Sequence, residues 1–429
     1  MSVAAPSNSS SSRASQRNVD RQYPMDWLLF VVTLVLLSFG VVMVFNASYP
    51  LAIEFYDDAA HFVKKQICWA VIGLGGLFLA QRIPYWKWQS WAMPALVISF
   101  LMLVAVHIPQ LGHEAQGAQR WIGYGPIKIQ PSEFAKFCLV LYLSKVFAAH
   151  PKLAQNLWGG VLPIAGIVLV SIGLVASEDL GTAITMVLTM MVVLFASGAR
   201  ARWMASILAV LMVLGMSFVL MKGTDSYRWK RLTTFVDPQA DPRNTGYQII
   251  HATIALGTGG ATGVGFGESR EKRRGGLPAQ RTDMIFAIIG EEFGLIGTGG
   301  VLLLFVVLAG RGFHVAQRTR DPFGALFAVG LTSIVCVQSL VNIAVVTASI
   351  PMTGVPLPFI SYGGSSLAAT LFSIGVLLNI SQFPYHRDPK SRRSRRLNNS
   401  QALDQPPVRT PRRNTASLVD SLEREGVLR

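Results

Sequence analysis

The stretch WLLFVVTLVLLSFGVVMVFN, residues 27–46, contains no charged side chain. A helix of about 20 such residues rises about 30 Å, the thickness of the hydrocarbon core of a bilayer. Runs of the same kind recur near 62–81, 91–108, 132–149, 157–177, 181–198, 203–221, 284–310, 323–347 and 367–383. They predict an all-α integral membrane protein of about ten transmembrane helices. Composition agrees: 51% of the 429 residues are hydrophobic and 14% are charged, where a soluble domain carries about 25%. No small-residue cleavage site follows the first run, so it reads as a retained span. Cys68, Cys138 and Cys336 each fall inside an apolar run, which speaks against a disulfide framework or a Cys-based metal site.

The net charge of +15 is placed as membrane topology places it. With a cytoplasmic N-terminus, the short inside loops hold Arg82 and Lys87, Lys145 and Lys152, Arg200 and Arg202, then Arg311, Arg318 and Arg320. The C-terminal tail adds Lys390 to Arg396 and Arg409 to Arg413. The short outside segments hold Glu54, Asp57 and Asp58, then Glu178 and Asp179. Both termini are therefore expected inside, and the charge reads as topology rather than nucleic-acid binding. The expected organisation is a disordered N-terminal tail over 1–25, a polytopic membrane domain over 26–384 and a disordered basic tail over 385–429.

One outside segment, residues 222–283 between the seventh and eighth spans, is itself basic, with Arg228, Lys230, Arg231, Arg243, Arg270, Lys272, Arg273, Arg274 and Arg281 among its residues. Loops of this length escape the charge rule. Attraction to anionic headgroups explains the charge, and so does a site for a phosphate-bearing substrate. Tyr247 to Leu256 reads as an amphipathic helix, with Ile250, Ile254 and Leu256 on the membrane and Gln248 facing water. The glycines from Gly257 to Gly267 lack the Gly-Lys-Ser/Thr ending of a nucleotide loop. In Leu277 to Ala287, Thr282 or Asp283 can cap the eighth span, and Asp283 can also serve as a general base. Glu133 and Lys136 fall one turn apart at the start of the fourth span, where a charge inside the membrane is paired or functional. Asp179 caps the sixth span or carries function. Residues 351–366, with Pro351, Pro356 and Pro358, are too irregular for a plain helix and need protein or a cavity around them.

These segments resemble the SEDS family (shape, elongation, division and sporulation), which includes FtsW and RodA. The similarity runs from about Trp27 to Phe383. It is carried by Gln119-Arg120-Trp121-Ile122, Gln130-Pro131-Ser132-Glu133, Asp179-Leu180-Gly181-Thr182, Gly246-Tyr247-Gln248, Thr282 to Ala287, and Pro358 to Ser366. The resemblance implies a peptidoglycan glycosyltransferase that polymerises lipid II into glycan strands outside the bacterial inner membrane. It implies a class B penicillin-binding transpeptidase and other division proteins as partners. Asp283 matches the family's essential aspartate; Glu133, Lys136 and Asp179 match its supporting residues. Arg120, Gln248, Arg281, Ser361 and Ser365 are further candidates for substrate contact. Gly275 and Thr353 depart from positions that are often acidic and lysine in family members. The long tails resemble the division-type FtsW branch more than RodA, which implies a septal location.

The chemistry expected is an inverting transfer in which Asp283 takes the proton of an acceptor hydroxyl. Arg281, the Arg270–Arg274 cluster or a divalent cation (Mg or Mn) would meet the charge of the diphosphate. No cofactor is certain. Two other classes fit the sequence. One is a lipid II flippase with Gln338 and Asn342 lining its path, though no internal repeat is found. The other is a division scaffold without catalysis.

Overall fold

In the computed structural model, described over residues 22–108, 112–115, 118–124, 127–221, 223, 227–242, 246–273 and 277–385, the chain is helical apart from one small sheet. Both predicted tails lie almost wholly outside the described residues, as do Arg243, Arg274 and Gly275. The long helices are α1 (Trp27–Tyr56), α2 (His61–Arg82), α3 (Tyr85–Val106), α4 (Pro131–Ala149), α5 (Leu162–Glu178), α6 (Leu180–Ala196) and α7 (Ala201–Met221). After the loop helices α8 (Tyr227–Val236), α9 (Tyr247–Gly259) and α10 (Arg270–Arg273) come α11 (Ile285–Arg318), α12 (Pro322–Val346) and α13 (Gly364–Gln382).

Eight of the described helices are long and apolar enough to cross a bilayer. The other two predicted spans depart for physical reasons. Helix α6, with 17 residues, is short, and α4 carries Glu133, Lys136 and Lys145 within 19 residues. A wide band of large apolar side chains on α1, α2, α3, α7 and α11 stays exposed, including Val71, Leu101, Met212, Val213 and Leu303. Lipid is the solvent for such a surface. The protein is a multi-pass membrane protein.

Both described chain ends meet at one end of the bundle. The Tyr23 amide donates to the Gln382 carbonyl at 2.8 Å, and Arg311 pairs with Asp26 at 2.6 Å. Asp26 also caps α1 by accepting from the Leu29 amide. Helix α13 then runs about 28 Å to its N-terminus at the opposite end, where the Tyr362 amide donates to the Arg281 carbonyl at 2.8 Å.

Two irregular pieces shape that far end. Helix α11 breaks at Gly294 (φ 63°, ψ −158°), a backbone that only glycine adopts without strain. The loop after α9 seals the break: Val264 and Gly265 donate to the carbonyls of Glu291 and Glu292, and Leu295 and Ile296 donate to those of Gly260 and Ala261. The glycine-dense stretch thus mends a broken helix. The second piece is an antiparallel sheet, β1 (Gly112–Ala115), β2 (Ala118–Tyr124) and β3 (Ile127–Ile129), in the order β1-β2-β3. An all-helical chain was expected, and strands this short leave no periodic trace in the sequence.

Candidate active site

Several separate pieces of chain meet at the end of the bundle opposite the termini. Asp283 lies in the turn before α11. It does not cap that helix: α11 starts at Ile285, and its cap position, Met284, makes no side-chain bond. The capping expectation for Asp283 therefore fails, and its carboxylate is left for other work. Oδ1 accepts from Thr282 Oγ1 at 3.0 Å, while the Asp283 carbonyl accepts from Asn342 Nδ2 at 2.7 Å. The residue is half-buried. Burial pushes its carboxyl above the usual carboxylate range, against the opposing pull of the Thr282 hydrogen bond and the charges of Arg231 and Arg120.

Residues 349–363 form the wall beside it, in extended and turn conformations. Non-helical backbone at this position needs partners for its carbonyls. Gln338 Nε2 donates to the Pro356 carbonyl at 3.0 Å, Asn342 Nδ2 to that of Val355 at 2.8 Å, and Arg231 to that of Met352 at 3.1 Å. Ser361 ties the wall to the Asp283 turn, its hydroxyl donating to the Thr282 carbonyl at 2.5 Å and accepting from the Leu357 amide at 2.8 Å. Gln338 and Asn342 thus brace this wall.

Beneath it, Lys136 donates to Glu133 Oε1 at 2.8 Å and to Gln338 Oε1 at 2.7 Å, and Ser366 donates to Glu133 Oε2 at 3.1 Å. Lys136 and Glu133 are both buried. Pro131 opens α4, which fixes this pair one turn in. Ser365 reaches the same junction, accepting from the Gln130 amide at 3.3 Å.

On the other flank, Asp179 caps α6 by accepting from the Thr182 amide at 2.9 Å, and its second oxygen meets Arg120 at 3.3 Å. Arg120 also donates to the Glu178 carbonyl at 3.0 Å. The pair stands on a cleft between α3 and α5, whose lower wall is Leu103, Val106, Leu174 and Val175. The cleft stops short of Asp283, but Arg120 joins the two through its charge.

Gly181 presses this flank against the wall. A Cβ there would fall 2.2 Å from the Thr353 carbonyl oxygen and 2.8 Å from its Cβ. Gly181→Ala is therefore expected to displace residues 352–354 and to lower stability by about 1–3 kcal/mol, measurable by thermal unfolding in detergent.

Other sequence candidates are placed elsewhere. Arg281 lies over the Phe62 ring at 4.2 Å, and burial lowers its pKa against the pull of Tyr362 and Tyr56. Gln248 does not face water as expected: it is half-buried with Nε2 enclosed, and α9 buries Ile249, Ala252 and Ala255. Lys272 and Arg273 of the basic cluster are paired with other carboxylates. Lys272 pairs with Glu292 at 2.7 Å and with Asn46 Oδ1 at 2.7 Å, and Arg273 pairs with Glu268 at 2.8 Å. Glu291 accepts from Ser269 and from the Arg270 amide, and Glu271 meets His251 at 2.5 Å. This second buried network was missed in the sequence, although Glu291-Glu292 in the middle of an apolar run was a legible signal. Among the described residues, no three His, Cys, Asp or Glu side chains gather as a metal site.

A family model described as cell cycle protein, covering FtsW, RodA and SpoVE, matches residues 26–386. The chain belongs to the FtsW/RodA/SpoVE family. It is 41% identical over 360 residues to stage V sporulation protein E of Bacillus subtilis, covering 83% of this chain and 97% of that one. It is 38% identical over 363 residues to a probable peptidoglycan glycosyltransferase FtsW of Trichlorobacter lovleyi, covering 83% and 93%. Its fold is similar to a chain of a peptidoglycan synthase complex that coordinates polymerization and crosslinking, with a TM-score of 0.70 and 28% identity over 85% of this chain and 99% of that one. The FtsW/RodA/SpoVE match covers every piece of the site just described.

Proposed function

We propose that this chain is a peptidoglycan glycosyltransferase that polymerises lipid II on the outer side of the bacterial inner membrane. The single observation that carries the mechanism is Asp283: a half-buried carboxylate, released from helix capping, at a membrane end of the bundle and within the field of two arginines. Lipid II brings an apolar tail, a diphosphate and sugars. The Leu103, Val106, Leu174 and Val175 wall suits the tail, and the Arg120 rim suits the phosphates. Asp283 takes the proton of the acceptor 4-hydroxyl as that oxygen attacks the anomeric carbon of the lipid-linked strand, and the diphosphate leaves. Attack opposite the leaving group inverts the anomeric centre.

The charge rule supports a cytoplasmic position for the end where the chain termini meet, and with it an outer position for Asp283. A class B penicillin-binding transpeptidase would cross-link the product there. The relation to FtsW supports work at the division septum. NMR of the glycan made by the purified chain tests the stereochemistry: β linkages from the α-linked donor are expected, and retained α linkages would contradict a single inverting step.

A pH profile follows from the site. The base must be ionised to accept a proton, and burial raises the Asp283 pKa. Activity is therefore expected to fall on acidification along a limb above the ordinary carboxylate value of about 4. Initial rates of polymer formation across pH, with unfolding followed in parallel, would show it.

A further inference from the structure

The cations of the external loop differ in what they face. Lys272 closes on Glu292, Arg273 on Glu268, and Arg281 lies on Phe62. Arg231, on α8, is held over the wall beside Asp283 by its bond to the Met352 carbonyl. Two residues further on, Gly354 takes φ +73°. The point its missing Cβ would occupy is 3.9 Å from Asp283 Oδ2 and 4.0 Å from an Arg231 terminal nitrogen. A carboxylate and a guanidinium therefore border one small gap whose side is bare backbone. An anion held here would lie against bare backbone, where any side chain at 354 would intrude.

We propose that Arg231 binds the diphosphate of the lipid-linked glycan, across the Gly354 gap from the base. This assignment rests on the polymerase reading above. In that reaction the bond between the anomeric carbon and the diphosphate oxygen breaks, and its electron pair stays on the diphosphate. The acceptor oxygen forms the new bond, and its proton passes to Asp283. The leaving diphosphate gains one negative charge in the process. A planar guanidinium that can span two phosphate oxygens holds this product form more strongly than the ester it came from. The same positive charge favours the ionised form of Asp283 against the larger, opposite effect of burial, so one residue serves both halves of the reaction.

The test uses the purified full chain in detergent, with undecaprenyl diphosphate and undecaprenyl monophosphate as probes in equilibrium binding titrations. Wild type is expected to prefer the diphosphate. Arg231→Gln, which removes the charge and keeps a polar side chain, is expected to weaken diphosphate binding about 10- to 100-fold, a far larger change than any in thermal unfolding. Arg231→Lys should lose less, and Gly354→Ala should weaken binding by filling the gap. In the pH–rate profile, Arg231→Gln should move the acid limb to higher pH, because a positive charge beside the base is gone. Asp283→Asn should bind the diphosphate at least as tightly as wild type. Wild-type diphosphate affinity in Arg231→Gln would overturn the proposal. So would equal losses of diphosphate binding, monophosphate binding and thermal stability, which would mark Arg231 as a strut for Met352 alone. If the Arg231-dependent binding holds but wild type makes no glycan, the polymerase reading fails and the diphosphate site stands.

Discussion

Asp283→Asn is expected to lower glycan polymerisation about 10²- to 10⁴-fold, the range spanned by loss of a general base. Asparagine keeps the shape of the side chain and can still bond to Thr282 Oγ1, so the loss would report chemistry rather than packing. The pKa shift gives the stability outcome. The folded state raises the carboxyl above its unfolded value, so it binds the Asp283 proton more tightly than the unfolded chain does. Stability is therefore lost as pH rises from the unfolded pKa through the folded one, and at neutral pH the ionised carboxylate is a burden on the fold. Asn removes that burden. The variant should melt at the same temperature as wild type or higher, a combination that a residue needed only for folding would not give.

The second large effect lies one turn inside α4. Lys136→Ala leaves Glu133 buried with its charge partner gone, and it strips Gln338 of the ammonium that fixes its amide. Removing one member of a buried pair costs about 3–5 kcal/mol. A sharp fall in accumulated, monodisperse protein is the expected result. Replacing both charges, as Glu133→Gln with Lys136→Met, should recover most of that stability, because an uncharged pair of similar volume carries no desolvation penalty. Thermal unfolding of the single and double variants measures the difference. Full recovery of polymerase activity in the double variant would show that these charges serve the fold alone. Continued loss of activity with restored stability would show that they also set the position of the wall around Gln338 and Pro356.

Much of this architecture was legible because hydrocarbon imposes length. The apolar runs gave α2, α4 and α12 almost to the residue, while α1 ran ten residues past its expected end, to Tyr56, and α3 began earlier, at Tyr85, because its first turns are amphipathic Trp and Lys residues. The fit of Pro131 to a helix start, of Asp179 to a cap and of Lys136 to a buried partner followed from local rules. What stayed hidden was long-range pairing. Nothing near Arg231 in the chain announces that it reaches Met352, 121 residues away. Nothing in residues 269–273 says that Glu292 will take the Lys272 ammonium, or that Glu291 will accept from Ser269 and the Arg270 amide. The expectation that Arg281 and that cluster face the phosphates came from charge content, and charge content carries no direction. The break at Gly294 was equally silent, because a glycine in an apolar run looks like any other until another loop docks onto it.

The central claim is that Asp283 drives glycan synthesis by this chain. The direct measurement is a gel of the products formed from lipid II by purified wild type and Asp283→Asn, each alone and with a class B transpeptidase partner. A ladder of glycan strands with wild type, and none with a folded Asp283→Asn protein, is the predicted result. Ladders of equal length and rate from the two proteins would contradict it.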